Sequence, residues 1–329
     1  AVHDPTRAAM LRQRLQLVAP PLARPPHVWT RLSVANAPVM ERVLLASTLS
    51  ASKVDDLGKC AFRFFAAHVL GLARERAAGL FVEPRDEGSV AHRALELVYR
   101  DLAARGGLRA ARAHPERALQ RAREVLTVAE ADLESLVEAH PTLWPPLRRE
   151  LTRIVLGQLQ VDLGEDGDYE PVAFEHRFDE RFEGESAPLV IGEPGGSREV
   201  RVRGQIDRID RDATGVRVID YKRQRIKRSA GRHFQLPIYT AVAVRDLAPE
   251  AVTVVAAWAP WREVHRQVCK DLPSEPRDGA AALAHDVWRR VDRVLSGDIS
   301  PDPDPRTLCA SCDFGALCRI ASIESELED

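Results

Sequence analysis

From Ser50 to Leu72 the apolar residues Leu57, Phe62, Phe64, Phe65, Val69 and Leu70 recur at helical spacing and predict a helical region with a buried aromatic face. Helical patterns return at 89–104, 115–138 and 146–163, so the first half reads as mainly helical. After Gly167 the period changes. Residues 172–178 and 200–209 alternate or nearly alternate, with turn residues between them, and predict strands. A third strand is expected at Val216–Lys222, a helix at 234–244, a buried strand at Val252–Trp258, a further strand pattern at Glu263–Lys270 and a helix at 280–296. The tail carries Pro301, Pro303 and Pro305 before three cysteines, which predicts loop or short-helix structure with little core of its own. A Pro-rich stretch at Pro20-Pro21-Leu22-Ala23-Arg24-Pro25-Pro26 reads as a connector, and no repeat is visible. The expected division is a connector over 1–50, a helical part over 51–165, an α/β core over 166–300 and a cysteine segment over 301–329.

With 45% hydrophobic and 29% charged residues, the chain has the composition of a soluble globular protein, which excludes long disordered or fibrous character. No apolar run approaches the roughly 18 residues of a membrane helix, and no signal peptide is evident, so a cytoplasmic protein without a membrane partner is expected. The 47 basic and 49 acidic residues nearly cancel, so any signal for a polyanionic partner must be local. The chain begins at Ala1 and not at Met, which suggests processing or a piece of a larger protein.

The most informative stretch is Val202-Arg203-Gly204-Gln205-Ile206-Asp207-Arg208-Ile209-Asp210, followed by Val216-Arg217-Val218-Ile219-Asp220-Tyr221-Lys222. If Asp212-Ala213-Thr214-Gly215 is the turn of a hairpin, Arg211 faces Val216 and Asp207 faces Asp220. Opposed side chains share a face with Cβ atoms about 4.5–5.5 Å apart. Strand periodicity then returns Lys222 to the face of Asp220. Two carboxylates held so close repel unless a cation lies between them. Oxygen ligands of this kind suit Mg²⁺, and a lysine beside it supplies positive charge where a phosphoryl transition state becomes negative. The ordinary alternative is that Asp207, Arg208, Asp210 and Lys222 form surface ion pairs on a solvated hairpin.

These segments, with Gln235-Leu236-Pro237-Ile238-Tyr239, resemble the PD-(D/E)xK nuclease superfamily and, within it, RecB-type and AddB-type nuclease domains. The resemblance covers roughly residues 50–320. It implies a restriction-endonuclease-like α/β fold, with a mixed sheet flanked by helices. It also implies that Asp207, Asp220 and the backbone carbonyl of Tyr221 bind Mg²⁺ or Mn²⁺, that Lys222 is the catalytic lysine, and that Gln235 and Tyr239 lie near the active site and the DNA strand. Gly88-Ser89-Val90-Ala91-His92 is similar to the family's Gly-x-x-x-His motif, so His92 is expected to complete the metal site. Glu96 shares a helix face with His92 and is either its partner or a solvated glutamate. Glu175 occupies a strand where family members often carry an acidic residue near the site.

After Lys222 come Arg223, Arg225, Lys227, Arg228, Arg232 and His233; such a charge run is ordinarily a solvated face, but this one leaves the end of the expected catalytic strand, where its cations would neutralise phosphates and guide a strand into the cleft. Cys309-Ala310-Ser311-Cys312 and Cys318 offer three thiolates, and Cys60 is the candidate fourth. By the same resemblance these four bind a [4Fe–4S] cluster that staples the two ends of the domain. Zinc remains the rival for four thiolates. Cys269 reads as a small packing residue.

The expectation is metal-dependent DNA cleavage, on single strands or duplex ends. No G-x-x-x-x-G-K-[ST] loop is present, so ATP-driven unwinding would need a helicase partner, or a helicase region in a longer polypeptide of which this chain is part. A stand-alone exonuclease is the close alternative. A DNA-binding or scaffold module that keeps the fold without cutting is another, and intact Asp207, Asp220 and Lys222 argue against it.

Overall fold

The computed structural model describes residue 32 and residues 37–73, 82–137, 141–181, 185–226, 231–261 and 265–318. The Pro-rich connector at 20–26 and the cations Lys227 and Arg228 lie outside the described residues.

Among the described residues a seven-stranded mixed sheet forms the centre, with helices on both faces. Its spine is the long strand β4 (Glu199–Arg211). The first half of β4 pairs with β1 (Thr48–Ser50), in parallel, and with β3 (Leu189–Gly192). Its second half pairs with β2 (Glu170–Phe178) and β5 (Gly215–Lys222), both antiparallel. β6 (Thr253–Pro260) then runs parallel to β5, and β7 (Gln267–Val268) closes the edge. β5 is buried at every position but its last, as expected of a strand covered on both sides.

One layer combines α1 (Ala37–Leu44), α2 (Ala51–Lys59), α9 (Gln235–Leu247) and α10 (Pro276–Leu295), whose apolar faces join Val200, Val202, Ile206, Val216 and Val218 in one core. The other is the helical part, dominated by α4 (Pro84–Ala104), α6 (Pro115–Val128) and α8 (Trp144–Gly164). These pack onto Phe174, Ile219, Tyr221 and Ala259 from the opposite face. The alternation along β5, with Val216 and Val218 one way and Ile219 and Tyr221 the other, is the two-residue period that makes the three layers.

The expected hairpin is present with the expected register, Arg211 opposite Val216 and Arg208 opposite Ile219. Gly204 is required by packing, because a Cβ there would sit 2.7 Å from the Phe178 ring. Several elements were not read from the sequence: α1 and β1, which lie in the stretch read as connector, β3, and α5 (Gly107–Ala113). The helix expected at 115–138 is two, α6 and α7 (Glu130–Ser135). The long helical stretch from Ser50 breaks at Cys60, which is extended (φ −170°), before α3 (Ala61–Phe64) continues into a π-helical turn at Phe65–Val69. Among its described residues the tail holds only a 3₁₀ turn at Arg306–Ser311 and α11 (Gly315–Cys318). No helix of the described residues is long and apolar enough to cross a membrane.

Candidate active site

The pairing of β4 with β5 stops at Arg208 and Ile219, and the next residues on each strand are Asp207 and Asp220. At that point a side chain replaces the ladder: the Tyr221 amide donates to Asp207 Oδ2 at 2.7 Å. Both carboxylates are buried at the end of the hairpin, and Lys222 Nζ lies 2.7 Å from Asp220 Oδ2. That oxygen is buried, and the Lys222 ammonium is the cation it faces.

His92 comes from the middle of α4, where it reaches across to β4 and β2. Its Nδ1 is 3.3 Å from Asp207 and 3.8 Å from Glu175. His92, Glu175 and Asp207 offer ligand atoms that all lie within 4.8 Å of one another. The imidazole is held edge-on by Tyr221 and Trp261, with centroids 6.1 and 5.9 Å away. Glu175 is thus more central than its sequence position suggested. It sits in β2 with φ +51°, a left-handed conformation that side chains other than Gly rarely adopt and that costs on the order of 1–3 kcal/mol. Gln205 donates to its carboxylate and holds it toward the site.

The charges of this cluster are strongly coupled. Burial works against the imidazolium of His92, but Asp207, with Glu175 and Asp220 behind it, outweighs burial and lifts the group to about 9. Burial and the Asp207 charge raise Glu175 to about 7 against the pull of His92. Burial also raises Asp220, helped by Asp207 and opposed by Lys222, to about 6. Asp207 goes the other way: burial disfavours its charge, but His92, Lys222 and the Tyr221 amide keep it below the usual carboxylate range. Lys222 is driven up by Asp220 and Asp207 despite its burial. His92, Glu175 and Asp207 form a donor set suited to a hard divalent ion, with Asp220 on the neighbouring strand.

Gln235 and Tyr239 stand one turn apart at the start of α9, and Gln235 Nε2 donates to Tyr239 Oη at 2.8 Å. Pro237 is accommodated in the first turn. Helix α9 packs against β5, the strand of Asp220 and Lys222, and the Tyr239 ring meets Phe178 edge-on; burial first, and then the charges of Asp220 and Asp207, raise the phenol well above its ordinary range. Gly88, Ser89, His92, Glu175 and Gln205 line an open groove of about 670 Å³ that leads to the cluster.

The surface-pair alternative, the role of Glu96 and the placement of the downstream cations are decided by the structure. Arg208 and Asp210 are not surface ion pairs: both are fully buried, where Arg208 bridges Asp210 at 2.6 Å and Asp162 of α8 at 2.6 Å beneath Tyr99 and Tyr221. Glu96 pairs with Arg93 and Arg100 and not with His92. Arg232 and His233 are turned inward, Arg232 onto Asp302 and the Lys59 carbonyl, His233 against Trp258 and Cys269. Of the remaining cations, Arg223 pairs with Glu87 of α4 at 3.1 Å. Cys269 is buried, and burial pushes its thiol up to about 11, consistent with a packing residue.

The other four cysteines meet. Cys60, Cys309, Cys312 and Cys318 line one cavity of about 170 Å³ with Phe62, Arg63, Pro301 and Leu308. Burial and the neighbouring thiols of Cys318, Cys312 and Cys60 push Cys309 up.

A sequence model of the PD-(D/E)XK nuclease superfamily matches residues 48–319. The chain is also similar to the B subunit of the ATP-dependent helicase/deoxyribonuclease of Moorella thermoacetica, 30% identical over 213 residues that make up 61% of this chain. Those residues span 18% of the length of that relative.

Proposed function

This chain belongs to the PD-(D/E)XK nuclease superfamily, and from that premise we propose that it hydrolyses DNA phosphodiester bonds with a divalent metal ion. In this reading it acts as an exonuclease on single strands or duplex ends, within a helicase–nuclease system for DNA repair or recombination. The observation that carries the reading is the convergence of His92, Glu175, Asp207, Asp220 and Lys222 at one end of a hairpin, below an open groove.

Asp207, Asp220, His92 and the Tyr221 carbonyl would hold Mg²⁺ or Mn²⁺, with Glu175 close enough to join them or to orient a bound water. The metal would polarise a phosphoryl oxygen and lower the pKa of a bound water. The protein's own residues supply the rest. Lys222, held as an ammonium by the two aspartates, balances charge that develops on the phosphoryl group and orients the attacking water. Gln235 and Tyr239 border the carboxylates and support the scissile strand. The groove residues Arg85, Arg93, Arg100 and Arg177 would contact backbone phosphates without reading bases, and Arg223 and Arg225 would guide the strand. The named activity of the Moorella relative supports DNA as substrate and a helicase as partner.

The test is cleavage of end-labelled single-stranded and duplex DNA by the purified chain. Cutting is expected with Mg²⁺ or Mn²⁺ and none with EDTA. Binding without cutting under every divalent ion would leave a scaffold module and sink the enzymatic reading.

The cysteine cavity fits a [4Fe–4S] cluster acting as a structural staple. Its four thiols come from both ends of the matched region. Tetrahedral zinc is the rival occupant of four thiolates, and metal content and colour tell the two apart. Anaerobically purified protein should be brown and contain about four irons per chain, and Cys309→Ser should lose both iron and visible absorption. Stoichiometric zinc without iron would overturn the assignment.

A further inference from the structure

Helix α9 carries the Gln–Tyr pair, and its first amides need acceptors that its own sequence does not provide. The residue at its N-cap is Phe234, which has no side-chain acceptor. The acceptor comes from another helix. Asp55 of α2 receives the Phe234 amide at 2.9 Å and the Gln235 amide at 3.4 Å, both on Oδ1, while Lys59 Nζ lies 3.5 Å from Oδ2. The carboxylate is 4% exposed, so these bonds are made in a nearly water-free place. The surrounding backbone is equally close: a Cβ on Gly58 would sit 2.3 Å from the Arg232 carbonyl, so α2 and residues 232–234 touch main chain to main chain.

We propose that Asp55 is a positioning residue for the nuclease reaction, fixing the start of α9 and with it Gln235 and Tyr239, on the helix that packs against the strand of Asp220 and Lys222. The inference rests on the nuclease reading above. It acts through the cap and not through contact with substrate: Asp55 satisfies two amides of the segment that aims Gln235, and it lies five residues before Cys60 on a helix anchored to the core. Without it, the buried Phe234 amide and the half-buried Gln235 amide lose this acceptor, and the first turn of α9 is free to shift relative to β5. A shift of this size is costly for chemistry and cheap for binding, because the groove is built mostly from α4, β2 and β4.

The experiment compares wild type, Asp55→Ala and Asp55→Asn in single-turnover DNA cleavage, with melting temperature and cysteine-site metal content measured on each. Asparagine keeps an oxygen that can accept both amides and is as good a cap as aspartate, so Asp55→Asn should stay within about threefold of wild type. Asp55→Ala should lower kcat by about 10- to 100-fold, as small misplacements at a reacting centre do, with KM and metal content unchanged. In a Gln235→Ala background the Asp55→Ala loss should largely vanish, a non-additivity that a general loss of stability would not produce. Should Asp55→Ala not fold, Asp55→Ser, whose oxygen is too short to reach both amides, carries the same expectations. The inference is overturned if Asp55→Ala keeps its kcat, if Asp55→Asn falls as far as alanine, or if the loss is additive with Gln235→Ala. A wild-type chain that never cuts would sink the nuclease reading, and this inference with it.

Discussion

Lys222→Ala should reduce DNA cleavage by about 10²- to 10³-fold at saturating Mg²⁺ while leaving DNA affinity nearly unchanged, the size of loss seen when one preorganised charge is removed from a developing oxyanion. The lysine stands half-buried at the end of β5 with its ammonium 2.7 Å from the buried Asp220. In such a place a charge interacts far more strongly than at the surface. Its neighbours hold it protonated: burial opposes the charge, but Asp220 and Asp207 more than compensate. An ammonium kept in place before the reaction needs no reorganisation when charge appears on the phosphoryl group. Arginine should not rescue the activity, because its planar fork cannot occupy the position of a compact ammonium. Single-turnover cleavage of end-labelled DNA by wild type, Lys222→Ala and Lys222→Arg makes the measurement. An alanine variant that cuts at the wild-type rate removes Lys222 from the mechanism.

The largest effect on stability should come from the residue next to Asp207. Arg208→Met should cost about 3–5 kcal/mol. The guanidinium is fully buried between Asp210, Asp162 and the ring of Tyr99, whose centroid is 4.2 Å from it. Arg217 and Arg266 reach the same two aspartates from the other side. The array is a closed set of buried charges, and burial is offset only because each aspartate has a cation on it. Removing the central arginine strands part of that negative charge in a dry place. The exposed pair Arg211–Glu250 on the same strand provides the contrast, and Arg211→Ala should cost less than about 1 kcal/mol. Urea melts of both variants decide the matter. Equal losses would mean that burial does not govern these pairs.

The parts of the fold legible in the sequence are those whose side chains repeat. β2, β4 and β5 showed alternation or dense Val and Ile, and the hairpin register followed from a short turn between them. β1 has three residues and β3 four, too few for a period to show. Within the site, Asp207, Asp220 and Lys222 stood out because strand geometry relates them, and His92 because it lay in a recognisable motif. Glu175 was harder to see: its role depends on a left-handed backbone that brings it against His92, and no residue type encodes that. Arg208 and Asp210 looked like solvated charges because composition says nothing about α8 lying across them with Asp162. Asp55 gave no signal, since the groups it binds are backbone amides far along the chain.

The turn around Cys60 sets an order of events during synthesis. The Ala61 amide bonds to Asp302, 241 residues later, and the Asp304 amide bonds to the Lys59 carbonyl. At a ribosomal pace of about 5–20 residues per second, the segment emerges roughly ten to fifty seconds before its counterpart exists. β1 also waits, because its partners lie on β4. The helical part that follows, with its many contacts between neighbouring helices, can form in that interval. The segment from Thr48 to Val69 exposes Phe64, Phe65 and Val69 until the sheet arrives, so in the nascent chain this stretch carries apolar surface that only later residues cover.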